Sequence, residues 1–296
     1  MKFRGKIVEL MFIQHFIKII GTLSRLTKVI VLRITPTKLN FVYNTMMTTG
    51  GVSIWCELNQ GNYFNEYNME GVSSDDNEIY LEFIPENLAK ALKVAQNAKS
   101  LKIKLTKKHA PCLTVEIELP SLTIRSRNVT HDVPVTVIPR RLWNEYKEPT
   151  MPQFDLSFYM PAIKIVKNVA DRMKNLSNFI LIKLNDKGEM ALKVETDEVT
   201  ASTHFKDLIK PTLDDGDYQT NNDVSEAEVR LDIRKLTHFL SGQQINPARL
   251  ICSMYNVVLM FVQKNFLQNI VNNRMVQFFM LHDDMSLQYF ISGVSA

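Results

Sequence analysis

The residues of this chain whose type and spacing could act on another molecule are lysines and arginines, carried on one side of four helical stretches. In the first, Gln14, Lys18, Thr22 and Arg25 lie opposite Ile13, Phe16, Ile20 and Leu23. In the second, Glu86, Lys90, Lys93 and Asn97 oppose Leu88, Leu92 and Ala95. The third sets Lys164, Lys167, Asp171 and Lys174 against Ile163, Val166, Ala170 and Met173. The fourth sets Arg234, His238 and Ser241, with Lys235 adjoining, against Leu236, Phe239 and Leu240. Spacings of three and four put each set on one helix face. Cations arranged this way displace counterions from a polyanion, attracting it by charge without reading a sequence. The candidates are Lys18, Arg25, Lys90, Lys93, Lys164, Lys167, Lys174, Arg234 and Lys235. Any one of them alone is equally a solvated helix face; the repetition points to function.

Other chemistry finds little footing. The chain has no Gly-rich phosphate loop and no nucleophile elbow. The acidic clusters His282-Asp283-Asp284 and Asp214-Asp215 fall in expected turns or loops, and adjacent carboxylates on a strand point apart. Cys56, Cys112 and Cys252 are scattered, with no CxxC pair and no histidine at metal-ligand spacing. They read as small buried hydrophobes in a reducing compartment. No catalytic activity, metal or cofactor is expected.

Composition sets the outer limits. The chain has 296 residues, 45% hydrophobic and 22% charged, and a formal net charge of +4. That suits one large or two ordinary folded domains. The net charge is too small to indicate nucleic-acid binding unless it is concentrated on one surface. Lys2, Arg4 and Lys6 precede an apolar run, but Glu9, Gln14, His15 and Lys18 interrupt it. It reads as a strand and then a helix rather than a leader, and no run reaches the roughly 20 apolar residues of a membrane helix.

The elements that must position the cations repeat. Strand (Phe3 to Val8), helix (Leu10 to Leu26) and strands Val29 to Thr35, Lys38 to Tyr43 and Val52 to Leu58 form a first unit. Strand Ile79 to Phe83 leads to a helix opened by Pro85, and strands follow at Leu101 to Thr106, Cys112 to Leu119 and Thr130 to Val137. The stretch 139–155, with Pro139, Pro149 and Pro152, reads as an extended linker. The order then returns: strand Asp155 to Met160, helix Ala162 to Leu176, strand Phe179 to Leu184, a turn at Asp186-Lys187-Gly188, and strands Glu189 to Glu195 and Val199 to Phe205. A last unit has strand Ala227 to Asp232, helix Ile233 to Gln243, and strands ending with Ser286 to Ile291. Helices are too few and hairpins too many for a doubly wound sheet. The expectation is an α+β chain with helices on one face of largely antiparallel sheets. Its N-terminal domain is 1–138, its linker 139–155 and its C-terminal domain 156–296, so that all four basic stripes share a surface.

Several stretches carry a resemblance: Gly51-Val52-Ser53-Ile54-Trp55-Cys56-Glu57-Leu58, Met69-Glu70-Gly71-Val72-Ser73, Asn77-Glu78-Ile79-Tyr80-Leu81-Glu82, Thr203-His204-Phe205-Lys206-Asp207-Leu208, Asp232-Ile233-Arg234-Lys235-Leu236 and Ser286-Leu287-Gln288-Tyr289-Phe290. They closely resemble the Hus-type subunit of the heterotrimeric DNA-damage checkpoint clamp, the nine-one-one complex, over nearly the whole chain. That family is similar in fold to the proliferating-cell nuclear antigen. The resemblance implies two sliding-clamp domains, two different sister subunits completing a ring, and double-stranded DNA held without sequence specificity in a helix-lined hole. It also implies a clamp loader, contact with repair enzymes and checkpoint kinase machinery, a nuclear location and no membrane. A homotrimeric processivity clamp is the alternative. By similarity, the subunit interfaces are strand edges at Thr130, His131, Val133, Val135 and Val137, and at Val199, Ala201, Thr203 and Phe205. Leu142, Trp143 and Tyr146 of the linker would dock client peptides, or pack the linker down. The resemblance breaks at Ser253 to Gln268, where an apolar insertion is expected to expose a sticky patch or a spare strand edge.

Overall fold

The computed structural model describes residues 1–45, 50–74, 76–121, 127–148, 154–211, 224–242, 245, 247, 249–259, 262–263, 266–267, 271–282 and 284–294, with backbone alone over 256–259, 262–263, 266–267 and 271–273. The first half contains β1 (Lys2–Ile7), α1 (Leu10–Leu26), β2 (Ile30–Ile34), β3 (Lys38–Asn44), β4 (Val52–Asn59), α2 (Gln60–Tyr63) and β5 (Glu66–Glu70). After them come β6 (Ile79–Phe83), α3 (Pro85–Leu92), β7 (Ser100–Lys107), β8 (Pro111–Leu119), β9 (Arg127–Pro134) and β10 (Thr136–Val137). The second half contains β11 (Leu156–Tyr159), α4 (Ile163–Met173), β12 (Phe179–Asn185), β13 (Met190–Glu195), β14 (Thr200–Phe205), β15 (Glu226–Asp232) and α5 (Ile233–Gly242). It ends with β16 (Arg249–Leu259), β17 (Val262–Gln263), β18 (Phe266–Leu267), β19 (Val271–His282) and β20 (Met285–Ser292).

The strands form an antiparallel five-stranded sheet, β5-β1-β7-β8-β9, and a four-stranded one, β14-β13-β12-β15. Between them runs a nine-stranded sheet, β10-β6-β2-β3-β4-β20-β19-β16-β11. The two halves therefore share one ladder, joined where Leu287 of β20 lies opposite Cys56 of β4. Local chemistry explains the junctions. Pro85 opens α3, where its missing N–H costs nothing. Gly188 has φ +82° in the turn between β12 and β13, a conformation that suits glycine.

The helices lie in a row. α1 packs against α3 on one side and α5 on the other, and α5 packs against α4, giving α3–α1–α5–α4. Gly242 permits the central contact: a Cβ there would stand 2.9 Å from Leu26 Cδ2 of α1. Each helix turns its apolar side onto the sheets. Phe239 of α5 is fully buried, stacked on Phe278 of β19 at 4.9 Å and on Tyr289 of β20 at 4.6 Å between ring centroids.

Two expectations need correction. The single strand at Thr130 to Val137 is two: the Val135 N–H donates to Pro111 O (3.1 Å), β9 stays on the five-stranded sheet, and β10 crosses to pair with β6. The linker is not extended throughout, because Arg140–Tyr146 coils into a 3₁₀ segment. β5 and α2 are additional to the expected elements, in polar stretches that lack a clear period. In the insertion, Ser253–Leu259 pairs with Val271–Gln277 and lengthens the β16–β19 hairpin.

Candidate nucleic-acid interface

The exposed side of the helix row carries the cations that the spacing placed there. Lys18, Arg25, Lys90, Lys93, Lys164, Lys174 and Arg234 are exposed. At 3.6 residues per turn, Lys18 and Arg25 fall with Gln14 opposite the buried Ile13, Phe16, Ile20 and Leu23. Lys18, Lys93, Lys164 and Lys174 have no ion pair among the described residues. Lys90 is held by Glu86 at 2.7 Å, and Lys167 lies 4.0 Å from Asp171, both as exposed i,i+4 pairs. Such pairs contribute only about 0.3–0.5 kcal/mol, so an incoming phosphate competes for these ammoniums at little cost. Arg234 Nη2 donates to Asn178 Oδ1 at 2.7 Å, which aims the guanidinium along the loop before β12.

Two placements differ from expectation. Lys235 lies on the flank of α5 and its ammonium donates to Gly50 O, tying α5 to the turn before β4 rather than joining the stripe. Thr22 is fully buried, because the sides of α1 are covered by helices on both flanks. Arg172 adds a further exposed cation on the other flank of α4 from Lys167, outside the three-and-four series of Lys164, Lys167, Asp171 and Lys174.

The expected interface strands are both sheet edges. β9 ends the five-stranded sheet and β14 ends the four-stranded one. On β9, Thr130 faces solvent, His131 is half-buried and Val133 is buried, so this edge presents backbone rather than those last two side chains. Val137 has left that edge with β10, while Val135 stands at the crossing, its side chain buried and its N–H still bonded to Pro111 O at the start of β8. On β14, Ala201, Thr203 and Phe205 are half-buried, and Val199 stands exposed just before the strand.

The linker residues divide. Trp143 is 7% exposed, stacks on Tyr80 at 4.7 Å and donates its Nε1–H to Ile138 O at 3.0 Å. It therefore packs the 3₁₀ segment onto the nine-stranded sheet. Beneath it, Arg33 forks onto Glu78 (2.7 and 3.1 Å) and the Tyr80 hydroxyl donates to Glu78 at 2.6 Å. These bonds hold the Glu78 carboxyl below its ordinary range despite burial. Leu142 and Tyr146 pack partly exposed against the same cluster.

The acidic cluster at 282–284 is a joint. His282 lies on His15 of α1 with ring centroids 4.2 Å apart, and Asp284 accepts from Asn62 Nδ2 at 2.6 Å. Asp283, Asp214 and Asp215 lie outside the described residues. The Tyr63 hydroxyl meets His15 Nδ1 at 2.6 Å. His15 Nε2 and His282 Nδ1 are buried without a hydrogen-bond partner among the described residues. Burial, the facing His282 and nearby Lys18 push the His15 pKa down to about 4, with Asp284 opposing. The ordinary value is 6.5, so between those limits the unfolded chain binds more protons and stability falls as pH drops. The urea midpoint of the full chain is expected to decline from pH 7 to pH 4.5, and His15→Gln to flatten that decline. Parallel curves for the two proteins would contradict the assignment. Among the described residues no group of His, Cys, Asp or Glu is arranged to hold a metal ion. The three thiols are buried and unbridged, with burial pushing Cys252 up to about 12 and Cys56 further.

With this geometry in place, comparison with known proteins is decisive. The model of the family described as Hus1-like protein matches residues 1–295. The chain belongs to the Hus1-like protein family. The Hus1-like chain is 51% identical to the human checkpoint protein HUS1 over 296 residues, covering 100% of both. It is 28% identical to checkpoint protein hus1 of Schizosaccharomyces pombe, covering 85% of this chain and 88% of the relative. Solved structures similar in fold include proliferating cellular nuclear antigen from Entamoeba histolytica (TM-score 0.67, 10% identity, 99% of both chains). PCNA from Thermococcus kodakaraensis is another (TM-score 0.65, 14% identity, 98% of both). The fold is that of a sliding clamp.

Proposed function

We propose that this chain completes a heterotrimeric ring around duplex DNA, with its helix row facing the duplex. As a Hus1-like protein with a sliding-clamp fold, it is a DNA-damage checkpoint clamp subunit, and the homotrimeric replication clamp is not favoured. Its kind of protein is a non-catalytic scaffold, acting in the nuclear response to DNA damage. In the finer reading, residues 1–138 and 156–296 are two clamp domains and 139–155 connects them. The edges β9 and β14 each extend a sister subunit's sheet, which satisfies the unpaired N–H and C=O groups of both. A dedicated loader opens the ring, and repair enzymes and checkpoint kinase machinery gather on it, with Leu142 and Tyr146 as contacts for them.

The observation that carries this reading is the unbroken row α3–α1–α5–α4, whose exposed side holds the basic stripes across the junction of the halves. A ring gains from weak, spread contacts, since topology retains it and tight contacts would stop sliding. Sedimentation tests the assembly. The chain alone is expected not to form a trimer, and to form a 1:1:1 complex when mixed with its two sister subunits. A stable homotrimer would favour a processivity clamp.

A further inference from the structure

We infer that the outer face of the four-stranded sheet docks a short protein segment in which an apolar side chain stands beside carboxylates. This site is separate from the helix row and faces away from it, because the opposite face of β12 buries Ile180, Ile182 and Leu184 in the core. On the outer face, Leu181 lies in register between Arg230 of β15 and Lys193 of β13. Phe179 stands two residues earlier on the same side, and both apolar side chains are only half-buried. They floor a cleft of about 270 Å³ rimmed by Arg230, Lys193 and Glu195. The Arg230 guanidinium carbon sits 4.5 Å from the Phe179 ring centroid. Arginine stacked on a ring keeps its donor fork available at the edge.

Charge decides the occupant. On the outer face of the five-stranded sheet each cation reaches a carboxylate: Lys2 has Glu70 (2.7 Å), Arg4 and Lys6 share Glu66 (3.1 and 3.8 Å), and Lys104 and Lys102 share Glu116 (2.6 and 3.8 Å). On the four-stranded sheet, Lys183 has Glu228 (2.6 Å) and Lys193 has the exposed Glu195 (2.7 Å), but Arg230 has no ion pair among the described residues. An unpaired arginine over a half-open apolar floor fits a carboxylate placed next to a Leu- or Phe-sized group. A phosphate backbone would satisfy Arg230 and leave Phe179 and Leu181 uncovered.

The test uses the full chain and a fluorescent peptide, Glu-Asp-Leu-Phe-Asp-Glu, with Glu-Asp-Ser-Ser-Asp-Glu as the apolar control. Amide shift mapping by NMR is expected to show saturable changes at Phe179, Leu181, Lys193 and Arg230. Fluorescence anisotropy is expected to show binding about tenfold weaker for R230E/K193E and for the Ser-Ser peptide, a loss of about 1.4 kcal/mol. Shifts confined to α1, α3, α4 and α5, equal affinity for both peptides, or no saturable binding would each overturn the proposal. The shift map is made on the unaltered protein, so it decides the matter even should the double variant fold poorly. None of these outcomes depends on whether the ring binds DNA.

Discussion

Changing Lys90, Lys93, Lys164 and Lys167 together to Glu is expected to lower the affinity of the assembled trimer for duplex DNA by roughly 100-fold at moderate salt. Four positive charges become four negative ones, a change of eight, on α3, on the 3₁₀ turn Lys93–Asn97 that continues it, and on α4. None of the four belongs to the buried core. Lys90 and Lys167 give up only exposed i,i+4 pairs, and Glu at those positions faces Glu86 and Asp171 at a cost of a few tenths of a kcal/mol. The chain therefore still folds and the ring still assembles, which sedimentation can confirm. The log–log salt dependence should also flatten, by roughly one unit at most for each phosphate contact removed. Unchanged affinity in an intact ring would refute the placement of DNA against these helices.

Phe239→Ala should have the largest effect on stability. The ring fills the space between α5 and the sheet, stacked at 21° on Phe278 and 24° on Tyr289. Removing a fully buried phenylalanine leaves a cavity and costs about 3–5 kcal/mol, part of it the lost aromatic contacts. Because a domain is only about 5–15 kcal/mol more stable than its unfolded chain, that is a large share. Urea unfolding should show a lowered midpoint with an unchanged slope. A loss below about 1 kcal/mol would mean that α5 is not anchored through this stack. The same substitution should loosen the junction of α5 with α1 at Gly242, and so the continuity of the basic surface.

Much of this could be read in the residues, for identifiable reasons. A helix that buries one side on a sheet must show period 3.6, so α1, α3, α4 and α5 and their exposed cations were legible. The turn at Gly188 was legible because few residues adopt its positive φ. The sharing of one ladder by both halves was not. The pairing of β4 with β20 joins residues more than 200 apart, and nothing local in either strand names its partner. Lys235 was misplaced because a lysine near a stripe looks the same whether it reaches solvent or a backbone carbonyl such as Gly50 O. The crossing at Val135 that carries Val137 to another sheet was not legible, because a strand that changes sheets keeps its alternating pattern through the change. A linker Trp suits docking and packing equally by its type, and only its place on the Tyr80 ring assigns Trp143 to packing.

The most direct measurement is site-specific photo-crosslinking of the assembled trimer on a duplex with blocked ends. A photoreactive residue is placed in turn at Lys18, Lys93, Lys164 and Lys174 on the helix row, and at Lys102 and Lys193 on the outer sheet faces. Crosslinks to DNA from all four helix positions and from neither sheet position are the predicted result. Crosslinks from Lys102 or Lys193 with none from the helices would contradict a duplex held against the helix row.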